Sequence, residues 1–446
     1  MQPSSSSAED GEPSTTEPLT VDLSQKLQPL TGLGVDANVH SWKGGQLRAA
    51  IDRYTALGPM VWRVIIEKAD WEPTEIGPAD VIDDSYYRRI YETPKMRDLW
   101  DTIAYIESSK GQTVSLSVMG AVSPWMGGTK VLPEKEDFWV RMIASLLDYG
   151  RRQRGLTLSL VSPLNEPDTN GIEGPNVGPA QMTELLGKLG RRLDALGMGD
   201  VRFVVPDTSS AQGARDDYVP ALVADAYVSG KIARIGIHTY SGDAASVPDA
   251  VSKGAAARAG VWATEFNAWC DGCDSGAAPA DTWDQAFGMA RMLLSLVGQG
   301  VNGAQMYDAW DGYYEHHGAM GYWGALKYDP GSGTYSPRSA FSVLSLFIRA
   351  LPSGTVHVGA SGAPALEVQA FLDEPSGQVN IVGANPTRSA QRFVVAAGGA
   401  QLHGAELALL GPDSAVAHAA IPSVRGGGLA ISVPANDIFW LKASLP

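Results

Sequence analysis

Two glutamates stand in short motifs that each follow an apolar run. Glu166 is the central residue of Asn-Glu-Pro (165–167), and Glu265 is the central residue of Thr-Glu-Phe (264–266). Hydrolysis of a glycosidic bond needs such a pair, because one carboxyl group protonates the leaving oxygen while the other attacks the sugar or activates water. Each motif is weak alone, since Asn-Glu-Pro could merely cap the following helix. Together they predict catalysis by a carboxylate pair, because the strands that they follow are expected to form one barrel, as argued below, and would bring both glutamates to the same end of it.

Polar residues near the ends of other predicted strands would complete this site. Asn165 could hydrogen-bond a sugar 2-hydroxyl, where contacts strengthen in the transition state. Arg63 could be the cation that keeps a carboxyl group ionised, or it could simply pair with a barrel carboxylate such as Glu67. His238 and Tyr240 follow one strand: Tyr240 is expected to hydrogen-bond the glutamate of the next strand, whereas His238 could equally be a satisfied core histidine.

Three aspartates also end predicted strands. Asp36, Asp207 and Asp308 could each hydrogen-bond sugar hydroxyls or only cap a loop. Asp36 is the one that we take as a substrate-binding candidate.

Aromatic residues are concentrated in the predicted loops. Sugar rings stack on aromatic planes through their C–H faces, and exposed aromatic rings are costly without a use. We expect Trp125 and Trp310 to be such platforms, while some members of the set belong to the barrel or loop core instead. The set is Trp42, Trp71, Trp125, Trp269, Tyr307, Trp310, Tyr313, Tyr314 and Trp323.

The elements that position these residues follow a regular rhythm. Short β-branched, near-continuous apolar runs alternate with amphipathic helical patterns, as in parallel strands that are buried on both faces. The helical pattern is clear at 181–196, and Ser336-Pro337 is expected to begin the last helix. Eight such units over 30–350 predict a (β/α)₈ catalytic barrel. The predicted strands are 34–38, 61–66, 113–119, 156–163, 201–206, 233–238, 261–266 and 303–307.

Both ends of the chain differ from this pattern. Residues 351–446 contain short runs separated by turn residues and no helical pattern, which predicts an antiparallel β-sandwich. Residues 20–29 are strand-like and are expected to join that sandwich. Residues 1–19 are rich in Ser, Pro and Glu, which predicts a disordered acidic tail. That tail is either a polar spacer left after an export signal is removed, which we favour, or a native cytoplasmic start.

Composition excludes several classes of partner. The 446 residues are 44% hydrophobic, which is enough for a large core, and the net charge is −15. An acidic chain without basic runs argues against nucleic acid as a partner. No apolar run is long enough to span a membrane. We expect a monomer.

Two pairs of residues could matter near the site. Cys270 and Cys273 follow the Thr-Glu-Phe motif closely, and we favour a local disulfide in an exported protein over two free thiols. His316 and His317 could touch substrate or only solvent. A metal role for this pair is disfavoured, because adjacent side chains rarely chelate one ion.

The motifs resemble those of glycoside hydrolase clan A, and the order of parts is similar to family 30 of that clan. The resemblance covers about residues 20–446. Besides the two glutamate motifs it includes the opening segment 21–38, Ser-Pro-Trp-Met (123–126), His-Thr-Tyr (238–240) and the closing segment 336–358. It implies that Glu166 is the general acid/base and Glu265 the nucleophile of a retaining mechanism, with no metal or organic cofactor.

We therefore expect a retaining glycoside hydrolase that acts on a β-linked poly- or oligosaccharide outside the cell or in the periplasm. Two alternatives stay open. One is a transglycosylase that uses the same two glutamates, and the other is a carbohydrate-binding protein on a catalytically dead barrel.

Overall fold

The computed structural model describes most of the chain, in two compact units. One unit is 28–354, and the other combines the described residues of 1–27 with 355–446. Trp42, Trp71 and most of the predicted tail lie outside the described residues. Within the described ranges, no helix has both the length and the apolar character to cross a bilayer. Those ranges are 14–15, 17–39, 45–67, 72–242, 244–256, 258–279, 281–413, 415–419, 421 and 428–446.

Eight parallel strands close the predicted barrel. Strands β1 (Ser14–Thr15) and β2 (Leu19–Pro29) precede it. Each barrel strand pairs with the next in chain order, and the last returns to the first. The fold class and the existence of all eight predicted strands are confirmed. The barrel strands are β3 (Gly32–Asn38), β4 (Val61–Glu67), β5 (Thr113–Met119), β6 (Leu160–Ser162), β7 (Arg202–Val204), β8 (Ile232–His238), β9 (Gly260–Phe266) and β10 (Gly303–Met306).

Helices and two hairpins fill the connections between and after these strands. Every residue of β3 and of β4 is buried, as expected for strands covered on both faces. The helices are α1 (Arg48–Thr55), α2 (Asp84–Tyr91), α3 (Pro94–Glu107), α4 (Glu136–Arg154), α5 (Pro179–Ala195), α6 (Ala211–Gly213), α7 (Val219–Ala224), α8 (Ala226–Lys231), α9 (Val247–Ala256), α10 (Trp283–Gly298) and α11 (Ser339–Ala350). The hairpins are β11 (Gly312–Tyr314) with β12 (Ala319–Gly321), and β13 (Leu326–Asp329) with β14 (Thr334–Pro337).

The last helix begins later than the sequence predicts. Ser336 and Pro337 are in β14, where they pair with Lys327 and Leu326 of β13. Proline is tolerated at such a strand edge because it needs to donate no ladder hydrogen bond there. The extended residue before α11 is Arg338, whose guanidinium donates to both carboxylate oxygens of Asp311 at 2.7 and 2.9 Å. That buried pair, rather than a serine cap, fixes the start of the helix.

The second unit is a large curled sheet around one apolar core. Its further strands are β15 (Val356–Ser361), β16 (Glu367–Asp373), β17 (Gln378–Ala384), β18 (Gln391–Ala396), β19 (His403–Leu410), β20 (Val416–Ala419), β21 (Leu429–Val433) and β22 (Ile438–Ser444). The strand order is β1-β18-β2-β15-β16-β17-β22-β19-β20, with β21 on β18. Side chains from distant strands, such as Val21, Ile381, Phe393 and Leu441, share the core.

The N-terminal strand joins this sheet as predicted, between β18 and β15. Its pairing with β18 is parallel, whereas the pairs from β15 to β20 are antiparallel. The prediction of a disordered tail is wrong at Ser14–Thr15, which pairs in parallel with Gln391 and Arg392. Since β2 pairs with β18 only at Val395 and Ala396, β1 takes up backbone groups of β18 further along the same side.

Gly34 allows the first two barrel strands to approach closely. A side-chain Cβ at Gly34 would lie 1.7 Å from the backbone oxygen of Val61, the residue that it faces in the β3–β4 pairing. A backbone oxygen in a closed barrel cannot move aside as a flexible side chain can. The glycine is therefore required by the spacing of the strands.

We predict that Gly34→Ala costs more than about 2 kcal/mol of unfolding free energy or prevents folding, because the added carbon overpacks a rigid site. Gly230→Ala in α8 is the matched control, since nothing lies within 4 Å of a Cβ there. Calorimetric melting of both variants checks this. A Gly34→Ala protein that melts with the wild type would contradict the packing argument.

Candidate active site

The two predicted glutamates meet at the carboxyl end of the barrel. Glu166 follows β6 and Glu265 lies in β9, so both are at the end where sites on this fold are built. One carboxylate oxygen of each, and a ring nitrogen of His238, all lie within 4.8 Å of one another. Both glutamates are nearly buried, with exposed fractions of 8% and 4%.

The backbone at Glu166 is held in the left-handed region, with φ of 40°. Its N–H donates to the backbone oxygen of Asp207 at 2.9 Å, and its own carbonyl accepts from the N–H of Thr169 at 3.2 Å. A Cβ at Gly174 would lie 1.7 Å from the backbone oxygen of Asn165. Non-glycine residues adopt this conformation when the surroundings fix it, often at functional sites.

Arg63 is the centre of the charge network under the glutamates. Its Nη1 donates to Glu265 Oε1 at 2.6 Å and to Asp36 Oδ2 at 3.3 Å. Its Nη2 donates to Asn165 Oδ1 at 2.6 Å and to Asp207 Oδ2 at 2.9 Å. The side chain is buried, so each contact acts with little screening by water. Arg63 thus does pair with barrel carboxylates, although Glu67 is not one of its partners.

His238 connects the two glutamates. Its Nδ1 is 2.8 Å from Glu166 Oε1 and 3.6 Å from Glu265 Oε2, and its Nε2 is 3.5 Å from Asp207 Oδ1. Burial acts to lower the pKa of His238, but Glu265, Asp207 and Glu166 outweigh burial and raise the pKa well above its ordinary value. The carboxyl groups around His238 therefore favour its protonated, imidazolium form.

The surroundings shift the pKa values of Glu265 and Asp207 in opposite directions. Burial raises the pKa of Glu265 to about 7, and Glu166 adds to the rise, while His238 and Arg63 oppose it. Burial also acts to raise the pKa of Asp207, but Arg63 and His238 outweigh burial and hold that pKa below its ordinary value. Asp207 is thus the permanent anion under the site, and Glu265 is the group that titrates near neutrality.

Several residues that were predicted to contact substrate are buried and bound to other protein groups instead. The prediction for Asp36 is wrong, because this fully buried residue pairs with Arg63 rather than facing the pocket. Asp207 and Asp308 are buried as well. Asn165 is held at both ends of its amide, since its Nδ2 also donates to the backbone oxygen of Glu173 at 3.2 Å. Its contact with a sugar hydroxyl stays a prediction.

Neither predicted aromatic platform lines the pocket that lies over the two glutamates. Trp310 is fully buried, and its Nε1 donates to the backbone oxygen of Asn38 at 3.0 Å, so the prediction of a sugar platform there is wrong. The ring of Trp125 packs edge-on against Phe138, and its Nε1 donates to the backbone oxygen of Glu72 at 3.1 Å. Trp125 is not among the residues that line the pocket over the two glutamates, and its role as a sugar platform stays a prediction.

A small pocket of about 200 Å³ lies over the glutamates. It is lined by Glu166, Glu173, Tyr240, Glu265, Trp269, Asp274, Tyr307, His317 and Trp323. Tyr240 is present as expected, but its predicted bond to Glu265 is wrong, because its hydroxyl has no hydrogen-bond partner among the described residues. The sequence analysis named Trp269 and Trp323 only as members of the aromatic loop set, and it missed Glu173 and Asp274. The one feature of the sequence that could have pointed to these residues is their position in loops that follow predicted barrel strands.

Trp269 is the exposed aromatic ring of this pocket. Its exposed fraction is 64%, the largest among the exposed large hydrophobic residues of the described chain. The ring lies 5.9 Å from that of Trp323, and its Nε1 donates to Asp271 Oδ1 at 2.7 Å. Such a ring, open to solvent at the edge of a polar pocket, can stack on the C–H face of a sugar.

The loop that carries Trp269 is closed by a disulfide. Cys270 and Cys273 are bonded, which confirms the favoured prediction. The carbonyl of Cys273 accepts from the N–H of Tyr322 at 3.0 Å, and Trp323 Nε1 donates to Asp274 Oδ1 at 2.5 Å. These contacts join the loops after β9 and β10 beside the pocket.

Two groups of three side chains have the ligand types that a metal ion needs. They are Glu166, His238 and Glu265, and Glu173, His316 and His317. In both groups the histidine nitrogens are already paired with the carboxylates. The expectation that the site works without a metal stays a prediction.

Comparison with known proteins supports the fold. No protein-family model matches the sequence, and no curated protein matches it either. By structure, the chain is similar to a family 30 subfamily 8 xylanase from Clostridium acetobutylicum, with a TM-score of 0.73 and 15% identity over 96% of this chain and 99% of that one. It is also similar to a family 30 endoxylanase from Clostridium papyrosolvens, with a TM-score of 0.71 and 18% identity over 96% and 100%.

An endo-β1,6-glucanase is similar as well, with a TM-score of 0.72 and 14% identity over 96% of this chain and 94% of that one. At these identities the likeness shows a shared fold. It confirms that the predicted resemblance to family 30 extends to the whole architecture of barrel and sandwich.

We predict that Arg63→Met loses about 3–5 kcal/mol of unfolding free energy at pH 7, because buried carboxylates are left without their cation. The deficit should shrink as the pH falls towards 5, since protons then neutralise those carboxylates. Arg151→Met is the matched control, because its pair with Asp200 is partly exposed and should contribute under about 1 kcal/mol. Urea unfolding at both pH values measures this. A deficit that is equal for the two variants would contradict the role of Arg63.

Proposed function

We propose that this protein is a retaining glycoside hydrolase that cleaves a β-glycosidic bond in a poly- or oligosaccharide, with Glu166 as general acid/base and Glu265 as nucleophile. One observation carries the proposal: carboxylate oxygens of the two glutamates lie within 4.8 Å of each other. Retaining enzymes hold the two groups about 5–5.5 Å apart, whereas inverting enzymes need about 6.5–9.5 Å for a water molecule.

The free oxygens of the two glutamates support these roles. Glu265 Oε1 is bound by Arg63, which leaves Oε2 to form the bond to the anomeric carbon. Glu166 Oε1 is bound by His238, which leaves Oε2 to hold the proton for the leaving oxygen. As Glu166 loses that proton, the adjacent imidazolium of His238 stabilises the new carboxylate. In the second step Glu166 takes a proton from water, which displaces Glu265.

The surroundings fit a glycan substrate outside the cytoplasm. The exposed ring of Trp269 offers a stacking surface beside polar and charged groups, a combination suited to a sugar. The disulfide of the same loop favours an oxidising compartment, extracellular or periplasmic. Two of the similar structures are named as xylanases and one as a β1,6-glucanase, which supports a β-linked glycan.

The direct test is a panel of β-glycans and aryl β-glycosides, given to wild type and to Glu265→Gln. We expect hydrolysis by wild type and a loss of at least about 10³-fold in the variant, since an amide cannot form the glycosyl-enzyme bond. Thermal melting verifies that the variant is folded. Full turnover by folded Glu265→Gln would exclude Glu265 as nucleophile, and binding without cleavage by wild type would favour a binding-only barrel. Products longer than the substrate would favour a transglycosylase.

Glu166→Ala should lose much less activity on aryl glycosides with an activated leaving group than on glycans, because a good leaving group needs no proton. The measurement is kcat/KM on both substrate types. Equal losses on the two types would contradict the assignment of Glu166 as the acid.

The pH profile should reflect the raised pKa of Glu265. Only its anion can attack, so kcat/KM should fall about tenfold per pH unit as the pH drops below about 7. If Glu265 were not buried in this way, kcat/KM would start to fall only near the ordinary glutamate pKa of 4.5. Initial rates between pH 4 and 9 at low substrate distinguish the two, and an acidic limb near 4.5 would contradict the site's electrostatics.

A further inference from the structure

Two adjacent histidines and a glutamate form a bridge across the barrel mouth. His316 Nε2 is 3.0 Å from Glu173 Oε2, and His317 Nε2 is 3.2 Å from Glu173 Oε1. The histidines belong to the segment between β11 and β12, and the glutamate to the loop after β6. Each carboxylate oxygen of Glu173 therefore meets a different imidazole.

Both ends of this bridge are anchored to the barrel. On one side, His316 Nδ1 is 2.7 Å from Oε1 of Glu67, the last residue of β4, and that oxygen also accepts the N–H of Glu315 at 3.1 Å. On the other side, the backbone oxygen of Glu173 accepts the N–H of Gly120, directly after β5, at 2.7 Å.

Opposite charges reinforce the bridge. Glu173 and Glu67 outweigh the effect of burial on His316 and raise its pKa to about 10. The two histidines likewise outweigh burial and hold the pKa of Glu173 below its ordinary value. The bridge is a partly buried ion-pair network rather than a set of exposed side chains.

The bridge stands between two cavities. Glu173 and His317 line the pocket of about 200 Å³ that holds both catalytic glutamates. Glu67 and His316 line a second cleft of about 670 Å³, together with Gly120 and Ile172. The larger cleft is thus separated from the pocket by the bridge.

We infer that this bridge ends the sugar pocket after a single ring, so that the enzyme removes one sugar at a time from the non-reducing end of a β-linked chain. The inference rests on the proposed function. The ring that Glu265 attacks is the glycone, and it must lie in the pocket that contains Glu265. A pocket of about 200 Å³ is below the roughly 300–1,000 Å³ that holds larger ligands.

The chemistry of the bridge also suits a chain end. A terminal sugar carries a free hydroxyl where an internal sugar carries a linkage. Glu173 can accept a hydrogen bond from such a hydroxyl, and His317, whose Nε2 faces Glu173, has its Nδ1 left to form another hydrogen bond with the sugar. A further sugar in that direction would have to displace the ion pairs.

The test follows the first products from reducing-end-labelled pentasaccharides of β-linked glucose and of β-linked xylose, with aryl β-glucoside and β-xyloside in parallel. Wild type should release free monosaccharide and labelled tetrasaccharide first. Glu173→Ala/His317→Ala, and the milder His317→Ala, should open the pocket into the larger cleft and raise the share of free di- and trisaccharide at least fivefold. Ile172→Ala, in the same loop but outside the bridge, should keep the wild-type pattern.

The outcomes separate this inference from the function beneath it. Free disaccharide or longer products as the first products of wild type would overturn the inference and leave the hydrolase intact. Monosaccharide alone from folded bridge variants, or hydrolysis of aryl glycosides without any pentasaccharide, would also overturn it. No hydrolysis of any substrate would contradict the proposed function itself.

Discussion

The buried guanidinium of Arg63 connects the side chains at the base of the candidate active site in the barrel. Four acceptors converge on it from four different barrel strands or the loops that follow them: Asp36, Asn165, Asp207 and Glu265. Burying one cation is expensive unless its partners are placed well, and burying three carboxylates without it would cost more. The barrel supplies the rigid frame that keeps these partners in place, so that their attraction offsets the free energy of burying the charges. The result is a glutamate whose position is fixed and whose pKa is set by its neighbours before any substrate arrives, which is the preorganisation that the proposed catalysis needs.

A second layer of charge shapes the space above this centre. His238 joins the two glutamates from below, while His316 and His317 hold Glu173 at the wall of the pocket. The same chemistry, an imidazole between carboxylates, thus serves two purposes. In the proposed function, His238 close to Arg63 supports the two glutamates that react, and in the further inference the outer pair of histidines limits the space for a substrate.

The sequence predicted the parts of the structure that depend on local pattern and topology. Buried parallel strands have a recognisable composition, and their carboxyl ends must meet at one mouth, so Glu166, Glu265, Arg63 and His238 could be brought together without coordinates. The N-terminal strand of the sandwich was predicted because residues 20–29 are strand-like and precede the barrel. The Ala-Glu-Leu-Ala-Leu-Leu run of β19 has no β-branched residue, so its composition alone does not predict a strand.

The site residues that sequence analysis missed lie on long connections. Which side of a loop faces a pocket depends on tertiary contacts that no local pattern encodes. Trp310 and Trp269 illustrate this: both follow barrel strands closely, yet one packs against Trp62 and Tyr335 in the core and the other stands exposed beside the glutamates. Asp36 failed for a related reason, since the end of a strand can face inward to a buried cation as well as outward to a ligand.

The central claim is that the two glutamates are close enough for a covalent intermediate. The stereochemistry of the first product tests it most directly. Proton NMR of an aryl β-glycoside during the first minutes of hydrolysis distinguishes the two anomers before they interconvert. The account predicts that the β-anomer forms first, because two displacements at one carbon restore its configuration. Initial formation of the α-anomer would show that water attacks directly, and would contradict the role of Glu265 as nucleophile.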